Sequence, residues 1–340
     1  MKSQPSEMPN FREPALGPTY PEFLHGLCRK ASFNAGDIVR HQDQYYKEIY
    51  LVTEGWLDVL SGSPERGAPT ASLGPGSTIG EIGVRQGSRA AATIVARTAA
   101  SALVIDYDTM WKIHEGDRST AVQFCRYLAK VSQPIGSTPS IRSLLSSSDK
   151  ASNVDVSICQ NNEILHEVLR LRYSIGCVEF GRESPDADDE KKTLSDRFDS
   201  FGHVFVAVKD GELIGSLRAN LSTEGSMGIF EELYGMKSSR HHPGHTAICG
   251  RFIIKKSNRN SPVFLKLCIA FLDYLMKRDV VECYVGCEPH LTSVYGALGF
   301  KRSAERFFHY DFGPNDPMVL DLTQHGKRLC RLAGIQGYFG

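Results

Sequence analysis

Apolar residues change period several times along the chain. Phe23, Leu24, Leu27 and Cys28 stand at helical spacing and predict a short amphipathic helix over Pro21–Ala31. From Phe33 short β-rich runs take over: Ile49–Val52, Trp56–Leu60, Ala92–Ala96 and Ser101–Ile105. Gly and Pro signals such as Ser61–Gly67 separate them, which predicts a small β-barrel. Helical spacing returns with Met110, Trp111, Ile113, Val122, Phe124, Leu128 and Val131. Serine and short polar residues then fill 134–155, the composition of a linker.

Beyond the linker the pattern restarts. Ile164, Leu165, Val168, Leu169 and Leu171 predict a helix over Asn161–Tyr173, and a polar, acidic loop follows at Gly181–Lys192. Val204–Val208 and Glu212–Leu217 read as two strands joined by Asp210-Gly211, a strong hairpin signal. A strand at Ala247–Ile254, a helix at Val263–Lys277, a strand at Glu282–Val285 and a helix ending at Gly299-Phe300 complete an α/β order. The expected organisation is two domains. A flexible, Pro-rich arm (1–20) leads into a jelly-roll-like β-barrel with capping helices (21–133). The linker (134–155) then leads to an α/β domain with a central mixed sheet (156–340).

Composition narrows the function classes. The 39 basic and 39 acidic residues cancel, so no global field favours nucleic acid or an anionic surface. No apolar run reaches the roughly 18 to 20 residues of a membrane span, and the polar start lacks the apolar region of a signal peptide. The nine cysteines form no Cys-x-x-Cys pair and are odd in number, which reads as reduced thiols in a cytoplasmic protein. Cys283 and Cys287 stand four apart, but a second pair of metal ligands is missing.

Ile79–Thr93 reads Ile-Gly-Glu-Ile-Gly-Val-Arg-Gln-Gly-Ser-Arg-Ala-Ala-Ala-Thr and resembles the phosphate-binding cassette of cyclic nucleotide-binding domains. Gly36-Asp37, Ile49-Tyr-Leu-Val with Gly55, and Leu73-Gly-Pro-Gly support the resemblance, which spans about 22–133. It implies cAMP or cGMP as effector, with Gly80, Glu81, Arg89 and Thr93 as the binding residues. Glu81 would accept the ribose hydroxyl, and an arginine would pair with the phosphate. The family arginine falls on Ala90, with Arg89 one position early. A helix-turn-helix does not follow the capping helices, which argues against DNA binding.

The second half resembles the GNAT acetyltransferase superfamily, through Tyr295-Gly-Ala-Leu-Gly-Phe. Within it the likeness is to acyl-homoserine-lactone synthases and N-acyl amino acid synthases, through Leu171-Arg-Tyr-Ser-Ile, Asp196-Arg-Phe-Asp199, Gly215-Ser-Leu-Arg218 and Gly250-Arg251-Phe252. The resemblance covers about 160–305. It implies direct acyl transfer from acyl-CoA or an acylated carrier protein to the amine of a small molecule or amino acid. Arg172, Asp196, Asp199 and Arg218 would then form the charged amine-side pocket, with Arg251 beside it. Tyr295 would protonate the leaving thiolate, and a splayed central strand would offer a backbone N–H to the thioester oxygen.

Two positions depart from that pattern. Ile248 stands where the family has a glutamate, and the usual pyrophosphate loop is replaced by Lys255-Lys-Ser-Asn-Arg-Asn-Ser-Pro262. Lys255, Lys256 and Arg259 before a helix can hold the donor's phosphates or meet an acidic carrier protein. The competing readings are a catalytically inactive two-domain signalling module and a protein-lysine acetyltransferase. Each site residue also has a structural rival: an internal Asp–Arg bridge for the charges, and a core position for Tyr295.

Overall fold

The computed structural model describes residues 20–44, 46, 48–60, 69–80, 90–131, 153–182, 184–259 and 261–324. The arm to residue 19, Glu81 and Arg89 of the cassette, the linker to residue 152 and Cys330 lie outside them.

The N-terminal half opens with α1 (Leu24–Leu27), a single turn rather than the helix over Pro21–Ala31 read from spacing. Its last three expected residues, Arg29 to Ala31, belong instead to β1 (Arg29–Phe33), whose register on the barrel outweighs a short apolar repeat. Seven more strands follow: β2 (Ile38–Arg40), β3 (Ile49–Glu54), β4 (Leu57–Leu60), β5 (Pro69–Leu73), β6 (Thr78–Ile79), β7 (Thr93–Ala96) and β8 (Ala100–Ile105). They form two antiparallel sheets, β1-β8-β3-β6 and β2-β7-β4-β5, that face one another as a flattened roll. Val52, Leu57, Ile79, Ile94 and Ala96 are buried between them. Two helices close this half, α2 (Tyr107–Glu115), capped by the Asp106 side chain on the Thr109 N–H, and α3 (Arg118–Val131).

The C-terminal half begins earlier than its composition suggested. β9 (Val154–Ile158) takes the last two linker positions, because Val154 is buried against β12 once the sheet forms. Next come α4 (Asn162–Tyr173), the small pair β10 (Ala187–Asp188) and β11 (Thr193–Leu194), and the hairpin β12 (His203–Lys209) and β13 (Glu212–Leu221). Asp210 and Gly211 both take positive φ, as a two-residue hairpin turn of this hand requires. Then follow α5 (Phe230–Leu233), β14 (Thr246–Ile254), α6 (Val263–Met276), β15 (Glu282–Cys287), α7 (Thr292–Ala297), β16 (Lys301–Arg302), β17 (Phe307–His309) and β18 (Gly313–Asp321).

The strand order is β16-β18-β15-β14-β13-β12-β9, with β17 hairpinned onto the start of β18. Only β14 and β15 run parallel among these pairs, so the sheet is mixed. α6 lies across one face, where Leu267, Phe271 and Leu275 bury against β12 to β14. α4 packs on the other face through Val168 and Leu171. Among the described residues no helix is long and apolar enough to cross a membrane.

The two halves do not keep wholly separate cores. α3 lies along β17, and one buried cluster runs from Leu24, Phe124 and Leu128 through to Phe230, Tyr234, Phe307 and Phe308. The second half has cores of its own around α6 and α4, and this third one is shared. The apolar stripe of α3 is visible in the sequence, but a stripe does not say what covers it.

Candidate active site

Two features of the sheet create the site. β14 and β15 pair only from Thr246–Glu282 to Cys249–Val285, and beyond that point they diverge. On its other side β14 carries a bulge. Ser216 pairs with Ile253 and Arg218 with Gly250, so Arg251 and Phe252 together face Leu217. Arg251 takes φ +50°, a conformation costing a non-glycine residue on the order of 1 to 3 kcal/mol. The bulge re-aims its side chain. The cleft opens into a cavity of about 350 Å³ lined by Arg172, Asp196, Arg218 and Arg251 at one end and by Gly250, Gly286 and Cys287 in the splay.

The polar end is a chain of buried ion pairs. Arg172 reaches Asp199 with both carboxylate oxygens at 2.8 Å. Arg218 grips Asp196 in a fork, at 2.6 and 3.0 Å, and also touches Asp199 at 2.6 Å. Arg251 binds Asp196 at 2.8 Å, and Asp186 and Asp311 at 3.2 Å each. Local structure sets the carboxylates. Asp196 and Asp199 are the two ends of a capping box on the short 3-10 turn Arg197–Phe201, so backbone hydrogen bonds hold them in addition to the arginines. Arg172 is at the end of α4, just before the π-helical turn Ser174–Glu179, an irregularity often found at functional sites.

Electrostatics within the chain are uneven. Burial opposes the charge on Asp196, yet Arg251 and Arg218 outweigh it and hold the carboxyl below the usual range. Asp199 is treated likewise by Arg172 and Arg218. For Arg172 the balance runs the other way. Burial draws its pKa down to about 10, more than Asp199 restores, because Nε and Nη2 have no acceptor although the residue is only 1% exposed. It remains charged at neutral pH. Burial also works against Arg251, but Asp311 and Asp196 overcome it.

Four carboxyl groups face three guanidiniums, so within this chain of ion pairs one negative charge is left over and one carboxyl is favoured to keep its proton. Burial and then Asp311 push Asp186 up to about 7, against the pull of Arg251. An unfolded aspartate releases its proton near 3.9, so between about pH 4 and 7 the folded state holds a proton that the unfolded state does not. Stability from this group therefore falls as pH rises through that window. Asp196 and Asp199 act oppositely, and what they contribute is lost on acidification below about pH 4. Asp186→Asn is expected to flatten the decline of Tm between pH 5 and 7.5, measured by calorimetry. An unchanged slope would contradict this assignment.

The other expected residues divide. Ile248 lines the cavity, apolar where the resemblance placed a glutamate. Tyr295 does not line it. Its ring packs edge-on to Phe300 at 5.3 Å, close to the thiols of Cys249 and Cys287, and burial raises its hydroxyl pKa. Lys255 is paired with Glu212 at 2.5 Å and Arg259 with Glu179 at 2.6 and 2.8 Å, while Lys256 is exposed. Lys255 and Arg259 therefore meet carboxylates of the chain before any phosphate. Asp186 and Asp311 were not singled out from the sequence. They come from loops with no local pattern, and only the fold brings them to Arg251.

Cys177, Cys249 and Cys287 also line the cavity. Burial raises all three, Cys177 and Cys287 to about 11, and Cys249 further still. Such thiols are protonated at neutral pH and make poor nucleophiles, which disfavours an acyl-cysteine relay.

In the N-terminal half Gly80 stands with φ +96°, and the Arg40 guanidinium fills the space a Cβ would need. Arg40 is buried on β2, donates to the Glu48 carbonyl and lies under the Tyr46 and Tyr50 rings at 4.6 and 5.0 Å. It is a cation at the cassette that motif spacing missed. Thr93 is buried and its hydroxyl accepts the Gln42 N–H at 3.1 Å. Ala90, on the family arginine's position, uses its backbone to close a loop, donating to Gln44 and accepting from Asp43.

Comparison with known proteins agrees with both halves. The cyclic nucleotide-binding domain profile matches residues 30–117, and the profile of N-acyl amino acid synthase FeeM matches residues 170–322. No protein of curated function matches the chain in sequence. Among solved structures, a CoA-dependent acyl-homoserine lactone synthase, MesI, is 20% identical over 54% of this chain and 97% of its own, with a TM-score of 0.45. A second such synthase, BjaI, solved with SAM and isopentyl-CoA, is 16% identical over 55% and 91%, also at 0.45. A cAMP-binding acyltransferase from Mycobacterium smegmatis is 15% identical over 88% and 83%, at 0.28. The chain thus joins a cyclic nucleotide-binding domain to a domain of the N-acyl amino acid synthase FeeM kind.

Proposed function

We propose that the chain is an N-acyltransferase that moves an acyl group from a thioester, acyl-CoA or an acylated carrier protein, to the amine of a small molecule or amino acid. The observation that carries this reading is that the Arg172-to-Arg251 ion-pair chain and the splay between β14 and β15 open into one cavity. A charged acceptor and a thioester laid between the strands would meet there. The free Nε and Nη2 of Arg172 suit a carboxylate of the acceptor. With Ile248 apolar, the group matched to taking the amine's proton near neutrality is Asp186 on Arg251, which burial and then the nearby Asp311 raise to about 7. Because the cavity thiols stay protonated, transfer is direct, without a covalent enzyme intermediate.

The N-terminal half is proposed to regulate this reaction in response to cAMP or cGMP. Arg118, at the start of α3, donates to the Gly228 carbonyl and reaches Glu231 at 3.4 Å. Glu231 in turn accepts from Ser226 and from the Met227 N–H, and Met227, Phe230 and Tyr234 line the cavity. A shift of α3 would therefore pull on the cavity wall. Arg118→Ala is expected to leave the fold intact, since the arginine is partly exposed. It should reduce any change in turnover caused by cAMP or cGMP to less than half. Equal responses in variant and wild type would remove Arg118 from the coupling. The activity itself is tested by thiol release: acyl-CoA plus an amino acid mixture should yield thiol and an N-acyl product, and absence of both would refute the reading.

A further inference from the structure

At the floor of the splay three residues converge in a way the ion-pair chain does not explain. Gly286 lies on β15 just past the last β14–β15 pair, Cys249–Val285. A Cβ on Gly286 would collide with the Asn315 side-chain oxygen and the Tyr234 hydroxyl, so both oxygens close on one point above this glycine. All three residues line the cavity. Asn315 is 3% exposed, and its Oδ1 accepts no hydrogen bond among the described residues. A buried acceptor left unmet costs about as much as a lost hydrogen bond, so a side chain kept this way calls for a donor that arrives with a ligand.

The chemistry of the two oxygens is complementary. Burial raises the Tyr234 hydroxyl, which keeps it protonated and able to donate. Asn315 Oδ1 can only accept. In aminolysis of a thioester the tetrahedral centre carries one oxygen that needs a donor and one nitrogen whose N–H needs an acceptor. We infer that Asn315 holds the attacking amine through its N–H while Tyr234 faces the thioester oxygen, with Gly286 leaving room for the two side-chain oxygens to approach one another. This rests on the acyl-transfer reading and names the residues that choose an amine over water. The step balances without a further reactant. The C–N bond forms and the C–S bond breaks, the amine gives up one proton to Asp186 on Arg251, and the departing thiolate takes one from solvent.

The informative variant is Asn315→Leu in the full chain. Leucine is close in shape and removes an unmet polar atom, so stability should be unchanged or higher. Probes are acetyl-, butyryl-, octanoyl- and palmitoyl-CoA and octanoyl-pantetheine, each with and without an equimolar mixture of the twenty amino acids. Thiol release and N-acyl product are both read. The expected result is a Tm no lower than wild type, a fall of about 10- to 100-fold in amine-dependent kcat/KM, and amine-independent hydrolysis changed less than threefold. Should N315L not fold, N315A removes the amide without added bulk and reads the same ratio. A folded variant with unchanged aminolysis, or with aminolysis and hydrolysis lowered equally, overturns the inference alone. A wild-type chain that releases no thiol from any of these donors overturns the acyl-transfer reading and the inference with it.

Discussion

Arg218→Ala is expected to destabilise the protein by about 3 to 5 kcal/mol, because it strips Asp196 of its bidentate partner and Asp199 of one of two cations deep in the protein. That is a large part of the 5 to 15 kcal/mol typical of a folded domain. The sign follows from which charge is left behind. Asp196 and Asp199 would face only Arg251 and Arg172 respectively, and Gly202, which packs against the Arg218 stem, would border a void. Arg218→Lys separates structure from function. It keeps the charge but cannot form the planar fork to Asp196. Such a variant, if folded, is expected to lose at least tenfold in transfer rate, measured by thiol release. A folded R218K at wild-type rate would show that the ion-pair chain holds the fold and takes no part in the reaction.

The second large effect concerns the shared core. A fragment of residues 153–340 is expected to aggregate or to unfold without a cooperative transition, as followed by calorimetry. Removing α3 would uncover β17, whose Phe307 and Phe308 are at most 2% exposed in the full chain. Each large apolar side chain returned to water forfeits roughly 1.5 to 3 kcal/mol. The Arg118–Glu231 contact would go too. A soluble fragment with a sharp transition would mean that the α6 and α4 cores suffice, and that the contact between halves is incidental. It would also weaken the case for coupling, since a surface that matters little to either half transmits little between them.

Local signals explain what could be read from residues alone. Asp210-Gly211 between apolar runs fixes the β12–β13 hairpin, because the turn chemistry and the strand period lie within a few residues of each other. The helices α4 and α6 announce themselves by their stripes. Four of the charges in the ion-pair chain, Arg172, Asp196, Asp199 and Arg218, were likewise legible as a set, and the fold brings them within hydrogen-bond distance. Arg251 was legible as a member but not as a bulge, since its positive φ answers to a register shift that a single strand cannot display.

The rest depends on distant partners. Asp186 and Asp311 lie 125 positions apart and meet only through Arg251. β18 reads Gly-Pro-Asn-Asp-Pro before its apolar run, a turn by local rules, yet the sheet takes it in, with Pro317 opposite Gly286. Asn315 was invisible for that reason. Tyr295 shows the converse: a motif tyrosine found as expected in the chain, but packed beside the cavity rather than in its wall.

The most direct test of the central claim is mass spectrometry of the full-length protein incubated with octanoyl-CoA and an amino acid mixture, with cAMP or cGMP added in parallel. The account predicts free CoA together with an N-octanoyl amino acid, in amounts that change when the nucleotide is present. Free CoA with only octanoic acid, or intact octanoyl-CoA under every condition, would contradict it.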